Sequence, residues 1–144
     1  MSRKEGRVVN GNWSHEELER IGMAGELRIA TNRADGTLRP WVPIWVVCVG
    51  QQVYVRTWYR RHSGWFGHAL HSRRARIRVP GVEIDVVVED AGEGPAELQA
   101  SIDTAYRAKY GRYGTSVGAM VTDDAAATTL RLIPERDVSA GRRE

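Results

Sequence analysis

The chain has 144 residues, a length that fits one domain with a core of its own. With 42% hydrophobic and 27% charged residues its composition is globular, and the single cysteine, Cys48, excludes an internal disulfide and a cysteine-built metal cluster. The net charge of +3 is small, yet Thr37 to Val82 contains no Asp or Glu and 8 basic residues, a local excess that points to an anionic partner.

Residues 1–12 read as a loose start, 13–134 as the folded domain and 135–144 as a polar tail. MSRKEGRVVNGNW lacks the apolar stretch of a signal peptide, and no apolar run is long enough to span a membrane, so the expected location is the cytoplasm. Ser14 followed three residues later by Glu17 is a capping box, flanked by Trp13 and Leu18 in the positions of a hydrophobic staple. A helix is expected from about Ser14 to Met23, stopped by Gly25. Glu26 to Thr31 alternates, with Leu27 and Ile29 on one face, and reads as a strand. Ala34-Asp35-Gly36 is a turn signal.

Arg39 to Val49 is the most apolar run and reads as one strand covered on both faces, with Pro43 on an edge or at a bulge. Gly50-Gln51-Gln52 turns into a strand from Val53 to Tyr59. Its alternation puts Val53, Val55 and Thr57 toward a core, and Tyr54, Arg56 and Trp58 on a wall that could face a ligand. A loop, a short helix over Trp65–Ser72 and a strand over Ala75–Val79 follow. Pro80-Gly81 turns into an alternating strand, Val82–Glu89. Ala96 to Tyr110 is the strongest helix, with a stripe of Leu98, Ile102, Ala105, Tyr106 and Tyr110, and Asp103 spaced to pair with Arg107. A last strand spans Thr128–Ile133 and closes at Pro134. The fold class is therefore α+β, mainly β: a six-stranded antiparallel barrel or roll with two main helices, since closure removes exposed edges.

Tyr54 to Val79 concentrates the chemistry. Arg forks suit phosphate or carboxylate, so Arg56, Arg60 and Arg61, with backbone N–H groups near Ser63 and Gly64, are expected to hold an oxyanion, with Trp58 or Trp65 along a ring system. The same stretch could be a solvated basic face, or could stack single-stranded nucleic acid; the low net charge weighs against the latter. His62, His68 and His71 lack clustered carboxylates, so no metal site is expected. His68 suits a general acid by its ordinary pKa, and the hydroxyl of Tyr106 is a second candidate proton donor. Trp41, Trp45, Tyr54 and Tyr110 are the candidate lining of a small-molecule pocket. Lys109 fits the C-terminal dipole of its helix.

IWVVCVGQQVYVR, GWFGHAL, IDTAYRAKYGRYG and AATTLRLIP together resemble a family of bacterial proteins, domain-of-unknown-function family 2255, over nearly all of Trp13 to Pro134. That family looks related to the split β-barrel superfamily, which includes pyridoxamine-phosphate oxidases, FMN-dependent reductases and deazaflavin-dependent nitroreductases. The resemblance implies a split β-barrel and a homodimer. It also implies an FMN or deazaflavin site on Arg56, Thr57, the loop from Arg60 through Ser63 to Gly64, and Trp65 to His68, where His68 stands in place of a usual Asn. A flavin- or deazaflavin-dependent oxidoreductase acting on a small organic molecule is the leading expectation. The alternative is a cofactor-free barrel that binds a small molecule or catalyses a non-redox step such as cyclisation.

Overall fold

The structure is a computed structural model and describes residues 7–9, 12–57 and 64–137. The capping box forms as expected: Ser14 Oγ accepts from the Glu17 N–H at 3.1 Å, and Glu17 Oε1 accepts from the Ser14 N–H at 2.9 Å. It starts α1 (His15–Met23). Trp13 and Leu18 both pack on the main core, and the Trp13 indole N–H donates to the Leu132 carbonyl at 3.1 Å, tying the start of α1 to the last strand.

Eight strands form among the described residues: β1 (Arg7–Val9), β2 (Leu27–Thr31), β3 (Val42–Ile44), β4 (Val47–Val49), β5 (Gln52–Val55), β6 (Arg74–Val79), β7 (Val82–Asp90) and β8 (Leu130–Asp137). All pairings are antiparallel, in the order β3-β2-β6-β7-β8-β5-β4, with β1 on β8. The two ends of that order, β3 and β4, are neighbours in the chain, separated only by Trp45 and Val46. The sheet must therefore curl until its edges meet, which makes it a barrel split at those two residues.

Two differences raise the expected six strands to eight. The apolar run 39–49 breaks into β3 and β4, and residues 7–9, read as a loose start, pair as β1 with 135–137. Residues 135–137, expected in the polar tail, are the end of β8. Pro134 does not end β8; it falls where β5 has ended opposite Leu132 and β1 has not begun, so its missing N–H interrupts no ladder on that side. Pro43 sits on edge strand β3, as its chemistry requires. The β4–β5 hairpin turns through Gly50 and Gln51, both at positive φ (58° and 67°), the signature of a type I′ turn.

Side chains on alternate strand positions fill two cores. The barrel interior takes Leu27, Ile29, Val53, Val55, Ile77, Val86, Leu130 and Leu132, capped by Phe66 and Ala69 from α2 (Gly64–Ser72). A second core lies outside the barrel, where α3 (Ala96–Tyr110) covers Val47 and Tyr54 with Ile102, Tyr106 and Tyr110. Two short helices, α4 (Thr115–Met120) and α5 (Asp123–Ala126), follow, with Thr122 capping α5. No helix among the described residues is long and apolar enough to cross a membrane.

Candidate functional site

The alternation expected along β5 is present, but its outward face is covered. Tyr54 lies buried beneath α3, and Arg56 is 1% exposed. All five guanidinium donors of Arg56 have acceptors inside the protein. Nε reaches Thr129 Oγ1 at 2.9 Å; Nη1 reaches Asp103 Oδ1 at 2.6 Å and the Met120 carbonyl at 2.9 Å; Nη2 reaches Gln99 Oε1 at 2.8 Å and the Gln99 carbonyl at 3.4 Å. A fork with no free N–H cannot hold a cofactor phosphate, so Arg56 is a structural clamp between β5 and α3. Asp103, expected to pair with Arg107, is the carboxylate of that clamp. Thr57 is likewise buried, its N–H donating to Thr128 Oγ1 at 3.0 Å. Arg56 and Thr57 thus fix the end of β5 and offer little to a ligand.

Trp58, Tyr59, Arg60, Arg61, His62 and Ser63 lie outside the described residues. Beyond them Gly64 turns into α2 at φ 65°, with open space where a Cβ would stand. The first turn of α2 contains no acid. Trp65 is half-buried, edge-on to Phe66 at 5.8 Å, and packs against the barrel; His68 and His71 are exposed. No group of three potential metal ligands occurs among the described residues.

Among the described residues, the β6 part of the basic run ahead of Val82 is neutralised in space. On β6, Arg76 faces Asp85 and Arg78 faces Glu83 across the β6–β7 hairpin, at 2.8 and 2.9 Å. Arg74 reaches the buried Glu135 of β8 at 2.5 Å. The acids lie beyond the acid-free stretch in sequence, and antiparallel pairing brings them back onto it.

Neither tyrosine on α3 is placed as a proton donor. Tyr106 is fully buried, its hydroxyl has no hydrogen-bond partner among the described residues, and burial pushes its ionisation well above the ordinary range. Tyr110, one turn on, is a structural hub. Its hydroxyl accepts from the Val46 N–H at 3.1 Å and lies 3.0 Å from the Gly25 carbonyl; burial pushes its pKa up to about 12. Lys109 serves the end of a different helix from the one expected. Its ammonium donates to the Val46 carbonyl at 2.9 Å and the Ile21 carbonyl, at the end of α1, at 3.4 Å, and desolvation lowers its pKa. Val46, at the barrel's split, thus has its backbone satisfied by α3 side chains in place of a strand neighbour.

This anchoring shapes one wall of an open cleft of about 1050 Å³. The cleft runs from Ala24-Gly25-Glu26 and Arg28, past Trp45 and Tyr113, to the β6–β7 turn at Pro80-Gly81. Trp45 is stacked on Tyr110 at 4.1 Å with 4° between planes. Trp41 lies under the Arg78 guanidinium at 4.3 Å. Of the four residues expected to line a small-molecule pocket, Trp45 lines this cleft and Trp41 backs its Arg78. Tyr54 and Tyr110 belong to the second core. Sequence reasoning missed Arg28 and the β6–β7 turn, which come together only through strand register.

Comparison with known proteins adds the family and the fold. Residues 17–132 match the family model DUF2255, described as an uncharacterized protein conserved in bacteria. A search of curated proteins finds no match. Among solved structures, a conserved hypothetical protein from Mycobacterium tuberculosis is similar at TM-score 0.57 and 13% identity, covering 100% of this chain and 95% of that one. A FAD-binding protein from Mesorhizobium loti gives 0.56 and 15%, covering 86% and 91%. HutZ, the heme storage protein from Vibrio cholerae, gives 0.53 and 16%, covering 87% and 92%. These likenesses show a shared fold, the split β-barrel. The chain belongs to the DUF2255 family.

Proposed function

We propose that this DUF2255 protein binds a flavin-type cofactor, FMN or a deazaflavin, and with it acts as an oxidoreductase on a small organic molecule. The observation that carries the reading is the anchored end of β5. Arg56 and Thr57 hold it by buried hydrogen bonds, and the chain leaves that anchor through Arg60, Arg61 and Ser63 into the acid-free start of α2. The FAD-binding protein from Mesorhizobium loti, built on the same fold, supports the choice of ligand class.

In this reading Arg60 and Arg61 take the cofactor's oxyanions, with Ser63 and the backbone at the open Gly64 beside them. The exposed edge of Trp65 flanks the ring, and His68, exposed on α2, exchanges a proton with solvent or substrate. The cofactor itself would supply hydride or electron transfer; the protein's part is to bind and orient it. The working unit in this proposal is a homodimer, checked by light scattering.

The test is gel filtration of the protein with added FMN or deazaflavin, followed by the visible spectrum. One of the two should be retained, and Arg60→Ala with Arg61→Ala should weaken it by about 100-fold while the circular dichroism is unchanged. Retention of neither, or binding indifferent to the two arginines, overturns the assignment. A second reading, a cofactor-free barrel that binds a small molecule, is favoured by the cleft beside Trp45. A colourless protein that binds an organic ligand there would select it.

A further inference from the structure

The cleft at the β6–β7 turn holds a charge arrangement that strand pairing alone disfavours. Arg28 on β2 stands directly opposite Arg78 on β6, and both line the cleft. Like charges directly opposite on one face of an antiparallel pair repel. Arg78 has a counterion, Glu83 at 2.9 Å, and an aromatic bed, Trp41. Arg28 is exposed and makes no ion pair with an acid among the described residues. Glu26, just ahead of β2, borders the cleft on the side of Tyr110, whose pKa its charge helps to raise.

Beside this row of two arginines is a flat apolar surface. One face of the Trp45 indole is covered by Tyr110, and Tyr113 tilts against Trp45 at 5.4 Å. Trp45 remains half-exposed and Tyr113 is 47% exposed, both lining the cleft. A ring placed there would extend a stack already begun by Tyr110 and Trp45. The Lys109 and Tyr110 anchors on Ile21, Gly25 and Val46 hold that wall in place, so the surface is pre-formed.

We propose that the cleft is a binding site for a small planar aromatic carboxylate, its ring against Trp45 and Tyr113 and its carboxylate between Arg28 and Arg78. Glu26 and Glu83 bring the lining close to neutral, which suits one negative charge better than the two of a phosphate monoester. The ligand's carboxylate supplies the counterion that Arg28 lacks among the described residues. None of the residues of this site is among those assigned to the cofactor, and the proposal does not rest on that assignment.

Calorimetric titration with indole-3-acetate tests it, with tryptophol as the uncharged counterpart. Saturable binding of the acid is expected, weakened about tenfold or more by Arg28→Gln and likewise when the alcohol replaces the acid. The melting midpoint of free Arg28→Gln should equal or exceed that of the parent, because a repulsive pair has been removed. Arg60→Ala with Arg61→Ala should bind the acid as the parent does. Absence of saturation at millimolar acid, or affinity untouched by Arg28→Gln, overturns the proposal. So does loss of acid binding in the Arg60 and Arg61 variant, which would locate the acid at the proposed cofactor site.

Discussion

The two cores of this molecule solve burial in different ways. Inside the barrel, Leu27, Ile29, Val53, Val55, Ile77, Val86, Leu130 and Leu132 meet as aliphatic side chains with nothing to hydrogen-bond. Under α3, the buried set includes an arginine and three tyrosines, with Asp103, Gln99, Thr129 and Lys109 around them. The first core is held by area removed from water, is non-directional, and tolerates small changes of shape. The second is held by geometry. The desolvation cost of a buried guanidinium is offset only while each of its donors has an acceptor, so that core is brittle to the loss of any one member.

The largest expected effect follows from that brittleness. Arg56→Met keeps the apolar stem of the side chain but removes the donor that reaches Asp103, Thr129 and the Met120 carbonyl, leaving Gln99 Oε1 only its bond from Thr129. Truncating one partner of such a buried pair costs about 3–5 kcal/mol. Urea unfolding of Arg56→Met should show that loss, and the double variant with Asp103→Ala should recover part of it. An Arg56→Met protein as stable as the parent that no longer binds FMN would break the comparison and return Arg56 to the cofactor site.

Next in size is Tyr110→Phe. The hydroxyl is the acceptor of the Val46 N–H at the barrel's split and lies on the Gly25 carbonyl. Without it a buried N–H is left unsatisfied, at about 1–3 kcal/mol. Because Trp45 stacks on the ring that remains, the stack should survive and hydrogen exchange should quicken at Val46 specifically. Exchange at Val46 unchanged from the parent would show that a water or the Lys109 anchor is enough to hold the split.

The contrast between cores also explains what was legible in the sequence. Alternation in Val82–Glu89 and Val53–Val55, the capping box at Ser14 and the stripe of α3 are local patterns, and each formed where it was read. The barrel core and the antiparallel, mainly β class followed from them. The break at Trp45-Val46 was not legible, because the run 39–49 is uniformly apolar. What divides it is Tyr110 and Lys109, over sixty residues away. Arg56 reads in the sequence as a cofactor-binding residue because a basic residue on an outward strand face ordinarily meets solvent. The helix that covers it is announced by no nearby residue. The same non-locality neutralises the β6 part of the basic stretch, since Asp85, Glu83 and Glu135 reach Arg76, Arg78 and Arg74 only through strand pairing. It also assembled the Arg28–Arg78 row, which sequence spacing hides.

The smallest effect is the sharpest probe of the second core. Tyr106 sits one turn before Tyr110, yet its buried hydroxyl has no partner among the described residues, whereas that of Tyr110 has several. Tyr106→Phe deletes a desolvated polar atom with at most a weak approach to the Arg56 backbone, so at neutral pH it should be neutral or stabilising by up to about 1 kcal/mol. At alkaline pH the two proteins should separate. Burial raises the folded-state pKa of Tyr106 above its unfolded value of 10.0. The unfolded chain then releases a proton that the folded one retains. The stability tied to this group is therefore complete below about pH 10 and declines as pH climbs through the folded value. Phenylalanine has no proton to lose, so the variant's stability should fall less steeply above pH 10, leaving the decline due to Tyr110 and the other buried hydroxyls. Urea midpoints at pH 8 and pH 10.5 measure both ends. A destabilised Tyr106→Phe at pH 8 would mean that the hydroxyl does have a partner, and the second core would then be as fully satisfied at Tyr106 as it is at Arg56.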